Sequence, residues 1–286
     1  MRSRLALLGA LAVVAAACGS ATPSRRPAQS AGRVVNESFQ SQALKGTEDF
    51  QVFLPPGYDS GTRRYPVIYA LHGLPSNATG YQRMDIASWG ADAERAKRPA
   101  IVVAPQGARP GDTDPEWHDW GPGRNWEAAV ATDLVRVVDR RFRTIANRRG
   151  RALIGASAGG YGATIIGIHH PDEFSVIESW SGYFHPTNPT GDAPLELGSA
   201  DADDAANVHT YVSAARQIFA RYKPLFFGFF IGDEDPHFLT ENEQLHRQLL
   251  AAKVPHAYAV YPGAHTSSFW AAHEQEWIEM AVEKLA

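Results

Sequence analysis

Six short apolar runs recur along the chain, each bounded by Gly, Pro or polar residues: 66–71 (PVIYAL), 100–104 (AIVVA), 151–155 (RALIG), 174–179 (FSVIES), 225–231 (LFFGFFI) and 257–261 (AYAVY). Runs of this length without strict alternation are the pattern of strands buried on both faces. Between them the apolar period lengthens. Residues 126–143 place Val130, Leu134, Val137 and Val138 at helical spacing, and 160–169, 241–252 and 269–285 read as further helices. Ahead of the first run, 34–43 and 50–54 alternate in part on either side of Lys45-Gly46, which predicts a β-hairpin closed by Pro55-Pro56-Gly57. Alternating β and α units predict a mostly parallel sheet with helices on both faces. One stretch departs from this rhythm. Residues 184–210 are rich in Pro, Asn, Asp, Gly and Ala, and 211–222 read as a helix, so about 184–222 is expected to be an insertion, a small lid over the carboxyl edge of the sheet.

The first residues follow a different logic. Arg2 and Arg4 precede an apolar run at 5–17, and small residues lead to Cys18. This is the form of a signal peptide, and the run is shorter than the roughly 20 residues a spanning helix needs. Ala15-Ala16-Ala17-Cys18 resembles a bacterial lipobox, which makes Cys18 the expected lipidation site; the competing reading is an ordinary secretory signal cut near Ala17 or Ala21. Residues 1–18 are thus expected to be a signal, 19–32 a flexible linker and 33–286 the folded domain. The protein is expected to be secreted or held at the cell envelope, touching a membrane only through an N-terminal lipid anchor.

Composition narrows the function. Cys18 is the one cysteine, which excludes an intrachain disulfide framework and a cysteine-rich zinc site. A net charge of -4 with no basic stripe excludes nucleic acid as an expected partner. With 286 residues and 44% hydrophobic content, the chain can bury a sizeable core.

The chemistry converges on a serine. Gly155-Ala156-Ser157-Ala158-Gly159 is a G-x-S-x-G pentapeptide lying between an expected strand and an expected helix, the context that this motif requires. The sharp turn lifts the Ser157 hydroxyl above the sheet, and the helix N-terminus aims its N–H groups at the reacting centre. His72-Gly73-Leu74 ends the first buried run, so the backbone N–H groups of Leu74 and Ala158 are the expected oxyanion hole. His265 follows the last short strand and is the expected base. Three acids close the run before it: Asp233, Glu234 and Asp235. Any of them gives the chain order Ser, acid, His of an α/β-hydrolase fold. This chemistry calls for no cofactor and no metal ion. His169-His170 reads as helix capping and packing, because no carboxylate stands at ligand spacing beside it.

Taken together, LPPGY (54–58), YPVIYALHG (65–73), GASAGG (155–160), HPDEF (170–174), IGDED (231–235) and YPGAHTSSFW (261–270) resemble the "putative esterase" family of α/β-hydrolases. That family includes esterase D-type enzymes, secreted feruloyl esterases and trehalose mycolyltransferases. The resemblance covers roughly 35–285 and implies Asp235 as the acid, three residues after the strand-ending Gly232. It implies a serine ester hydrolase acting on a small-molecule, carbohydrate or lipid ester. Ala158 and Asp235 set the chain apart from the mycolyltransferase branch, where Met and Glu are typical. Acyl transfer to a sugar is the alternative, and a non-catalytic envelope-binding module the third reading. The loop 112–126, with Trp117, His118, Asp119, Trp120, Arg124 and Trp126, suits a sugar or aromatic acyl group, and Asp119 and Trp120 are the expected substrate contacts. Packing of these aromatics onto the domain is the competing reading.

Overall fold

Hairpin and buried runs assemble into one sheet. The computed structural model describes residues 31–75, 77–112, 115–188, 193–195 and 197–286, so Cys18, the expected signal and most of the expected linker lie outside the described residues. The strands are β1 Arg33–Ser41, β2 Gly46–Leu54, β3 Val67–Leu71, β4 Ile101–Pro105, β5 Arg151–Ala156, β6 Val176–Trp180, β7 Phe226–Gly232 and β8 Ala257–Tyr261. Their order in the sheet is β1-β2-β4-β3-β5-β6-β7-β8. The β1–β2 and β2–β4 pairs are antiparallel, and every other pair is parallel.

Period-2 alternation sorts the strand residues between two cores. In β3, Val67, Tyr69 and Leu71 face one side, and Ile68 and Ala70 face the other. The helices are α1 Ile86–Arg95, α2 Trp126–Ala128, α3 Val135–Arg141, α4 Ala158–His169, α5 Ala200–Ala206, α6 Val212–Arg221, α7 Leu239–Ala251 and α8 Ser267–Lys284. Helices α1 and α8 cover the Ile68 side, where Trp89, Trp277 and Ile278 are buried. Helices α3, α4 and α7 cover the Tyr69 side through Val138, Ile165, Ile166 and Leu245.

Three features were not visible as periodicity. Helix α1 is short, carries Gly90 at its centre and shows the core little more than Ile86, Trp89 and Ala93. The expected helix over 126–143 is interrupted by a π-helical stretch at Ala129–Leu134, between α2 and α3. The segment 184–222 contains α5 as well as the expected helix α6. Its first part reaches the carboxyl edge of the sheet, while α6 packs through Val212, Ala215 and Phe219 against the core on the Tyr69 side.

Trp277 is fully buried, 5.1 Å from the Trp180 ring and 5.2 Å from the stacked Phe230 ring. Trp277→Ala is expected to lower the unfolding free energy by about 3–5 kcal/mol, the range for emptying a large aromatic site. Urea titration followed by circular dichroism checks this.

Candidate active site

Four parallel strand ends, β5 to β8, build the site. After β5 the chain reverses into α4 within one residue. Ser157 takes φ 57° and ψ −122°, and its N–H donates to the Trp180 carbonyl at 2.9 Å. The reversal depends on glycine. A Cβ on Gly159 would lie 1.9 Å from the Leu71 carbonyl oxygen, and one on Gly155 would lie 2.2 Å from that of Gly159. Only bare backbone lets β3, β5 and α4 approach this closely.

From that turn the Ser157 hydroxyl meets the expected histidine. The distance from Ser157 Oγ to His265 Nε2 is 2.9 Å, and from His265 Nδ1 to Asp235 Oδ2 it is 2.7 Å. The other carboxylate oxygen of Asp235 accepts from the backbone N–H groups of His237 and Phe238, both at 3.0 Å. Burial raises the Asp235 carboxyl, but the hydrogen bond and charge of His265 and the two backbone donors outweigh it, so the net shift is downward. The competing acids are placed elsewhere. Asp233 accepts from the Gly263 N–H at 2.9 Å and holds the loop that carries His265, and Glu234 is exposed. The His265 ring is set edge-on between Phe238 and Trp270, with centroids at 5.3 and 5.2 Å.

The loop after β3 closes the other side. A Cβ on Gly73 would lie 3.0 Å from Ser157 Cβ, so this backbone rests directly against the serine. Leu74 follows it and lines, together with Ser157 and His265, a cleft of about 550 Å³. Ala158 is the first residue of α4, a position whose N–H has no acceptor within its own helix. His72 is buried beneath this loop; its Nδ1–H donates to the Gly73 carbonyl at 2.9 Å, and burial lowers it to about 4. It is therefore a neutral packing residue at pH 7.

Asp119 and Trp120 are not brought to this cleft. Asp119 accepts from the Ala128 N–H at 3.1 Å, and the Trp120 indole donates to the Pro115 carbonyl at 2.8 Å while packing towards Leu44 and Trp126. Of that loop, Glu116 accepts from the hydroxyl of the cleft residue Tyr183, and Trp117 packs against His72. Trp117 is buried, its ring lies 5.0 Å from His72, and its indole donates to the His72 carbonyl. Sequence reasoning missed Tyr183, Thr187, His237, Phe238 and Trp270 as cleft residues. Only Trp270 carried a signal, its place five residues after His265 in the last motif.

His169 and His170 have a carboxylate partner that spacing hid. Glu127, distant in sequence, accepts from both rings at 2.9 Å, and His169 also bonds Tyr211. Burial raises Glu127, but these bonds bring it down to about 2, and the same contact raises His170. A carboxylate with a lowered folded-state pKa contributes stability above the ordinary glutamate range and loses it as pH falls. Glu127→Gln is therefore expected to lower the unfolding free energy at pH 7 by about 1–3 kcal/mol. The deficit should shrink as pH falls towards about 2, in urea titrations repeated across pH.

Known proteins share sequence and fold with this chain. A family model described as "Putative esterase" matches residues 41–273. Esterase Rv1288 of Mycobacterium tuberculosis (strain ATCC 25618 / H37Rv) is 33% identical over 145 residues, covering 50% of this chain and 31% of that protein. This chain thus matches less than a third of that relative's length. Among solved structures, a ferulic acid esterase superposes with TM-score 0.75 at 23% identity, covering 91% of this chain and 100% of that one. An S-formylglutathione hydrolase from Agrobacterium tumefaciens superposes with TM-score 0.72 at 17% identity, covering 89% and 96%. At these identities the two structures attest the α/β-hydrolase fold.

Proposed function

The chain belongs to the "Putative esterase" family, and we propose that it is a serine carboxylic-ester hydrolase with Ser157 as nucleophile, His265 as base and Asp235 as acid. The observation that carries this reading is the unbroken hydrogen-bond chain from Ser157 Oγ through His265 to Asp235, mounted on the strained turn between β5 and α4.

A serine hydroxyl is a weak nucleophile until a base takes its proton. His265 Nε2 stands within reach to do so. Ser157 Oγ then attacks the ester carbonyl, and the carbonyl oxygen becomes an oxyanion. The N–H of Ala158, at the head of α4, and that of Leu74, on the loop against Ser157, are the donors for that charge, each worth about 3 kcal/mol of barrier. Asp235 fixes the imidazole with Nδ1 protonated and stabilises the imidazolium. Its second oxygen is held by two backbone N–H groups, so the carboxylate cannot rotate without losing them. His265 passes its proton to the departing alcohol. Water then enters, gives a proton to His265 as its oxygen bonds to the acyl carbon, and His265 returns that proton to Ser157 Oγ as the Oγ–carbon bond breaks and the acid leaves.

Hydrolysis of p-nitrophenyl acetate tests this. Ser157→Ala is expected to fall to background, and Asp235→Asn to lose activity on the order of 10⁴-fold. Asp233→Asn should keep most of its turnover. A fluorophosphonate should label the wild-type protein and not Ser157→Ala. Equal losses in Asp233→Asn and Asp235→Asn would overturn the assignment of the acid, and turnover surviving in Ser157→Ala that of the nucleophile.

A further inference from the structure

One cation stands in the Ser157 cleft without a counter-charge. Among the described residues that line this cleft, Arg83 is the only lysine or arginine, and none is an aspartate or glutamate. Arg83 is exposed and lies between β3 and α1, where its Nη2 donates to the Pro75 carbonyl at 2.7 Å. That bond ties it to the loop of Leu74. Its Nε and Nη1 make no hydrogen bond among the described residues, and none of their carboxylates pairs with it. The carboxylate nearest in sequence, Asp85, is engaged at the head of α1, where it accepts from the Ser88 N–H at 3.0 Å. A guanidinium held at one corner and open at the others is a preformed partner for a carboxylate, which it meets through two parallel N–H donors. A cleft lined by one sign of charge also concentrates ligands of the other.

The reaction's own geometry says which portion of an ester meets this cation. The tetrahedral carbon formed on Ser157 has three further substituents. Its oxyanion turns to the N–H groups of Leu74 and Ala158, and its leaving oxygen to His265, which protonates it. The alcohol therefore departs on the His265 side, where Phe238 and His237 adjoin that ring with centroids at 5.3 and 6.5 Å. The acyl chain takes the remaining direction, along the segment 72–84 that supplies Gly73, Leu74, Gly80, Arg83 and Met84 to the lining. It also stays on Ser157 after the alcohol has left, so an anion at its end faces Arg83 in both halves of the reaction.

We propose that Arg83 is a specificity-determining residue that selects esters whose acyl portion ends in a carboxylate, the half-esters of dicarboxylic acids. The proposal rests on the reading of Ser157 and His265 as nucleophile and base.

Release of p-nitrophenolate from mono-p-nitrophenyl adipate and from its methyl ester, which has the same chain without the charge, tests this. The ratio of the two kcat/KM values is the readout, because it cancels any loss that comes from freeing the Pro75 carbonyl. The wild type is expected to prefer the anionic ester about three- to tenfold at low salt, and less as salt rises. Arg83→Gln should abolish the preference, and Arg83→Lys, which keeps the charge without the fork, should retain part of it. No preference in the wild type, or one that survives in Arg83→Gln, overturns the proposal and leaves the esterase reading intact. The pair para-acetoxybenzoate and methyl para-acetoxybenzoate carries the charge on the alcohol instead. An Arg83-dependent preference in that pair and not in the adipates overturns the assignment to the acyl portion. A wild-type protein that cleaves p-nitrophenyl acetate and neither adipate overturns the proposal alone; one that cleaves none of these esters overturns the esterase reading with it.

Discussion

The chain reversal at Ser157 is the constraint on which the rest of the site depends. A residue with a side chain sits at φ 57° because the strand before it and the helix after it are packed too closely for any gentler turn. Such a conformation costs on the order of 1–3 kcal/mol and persists only where its surroundings over-determine it. Here the surroundings are backbone: the Leu71 carbonyl against Gly159, the Gly159 carbonyl against Gly155 and the Trp180 carbonyl on the Ser157 N–H. The same crowding presents the hydroxyl to His265 and leaves the first N–H of α4 free of an acceptor within its helix. The strained turn, the placement of the Ser157 hydroxyl and the free N–H at the head of α4 are consequences of a single close approach.

What was legible in the sequence follows from this locality. The strand, the pentapeptide and the helix are contiguous, so their signal survives without knowledge of the fold. The buried runs were equally readable, because strands covered on both faces have no polar alternation to confuse them. The acid was less so. Asp233, Glu234 and Asp235 are chemically similar neighbours, and what separates them is which group of the loop after β8 each carboxylate meets. Asp233 meets the Gly263 N–H, while Asp235 turns inward to His265. Family resemblance pointed to Asp235; composition and spacing could not.

The loops were the least legible. Residues 112–126 hold aromatic and polar groups in a mixture that reads the same whether it binds a ligand or packs a loop. The structure resolves the mixture residue by residue. Trp117 braces the backbone behind His72, whereas Trp120 and Asp119 tie the loop to itself and to the last residue of α2. That Tyr183 and Thr187 line the Ser157 cleft was hidden for another reason. Their position is set by long-range contacts, the Phe184 N–H to Glu241 and the Phe184 carbonyl to the Val208 N–H. Glu127 gathering His169, His170 and indirectly Tyr211 is the same kind of fact, a cluster assembled from elements that only the fold brings together.

Strand β6 supplies no member of the Ser157–His265–Asp235 chain, yet it joins the elements that do. Its end donates nothing to the reacting centre and instead binds its neighbours on both sides. The Trp180 carbonyl takes the Ser157 N–H, and the Ser181 N–H donates to the Phe230 carbonyl of β7. The Ser181 hydroxyl takes the Trp270 indole N–H from α8 at 3.1 Å. Three elements carrying the serine, the acid's strand and the ring that flanks His265 are thereby fixed to one point. Trp180 itself is buried, with the rings of Trp89 and Trp277 tilted against it on the Ile68 side. A hydrogen-bond chain of 2.9 and 2.7 Å links needs its three residues held within a few tenths of an ångström. Side chains on separate loops cannot supply that precision by themselves. It comes from the sheet, through a strand whose own residues perform no chemistry.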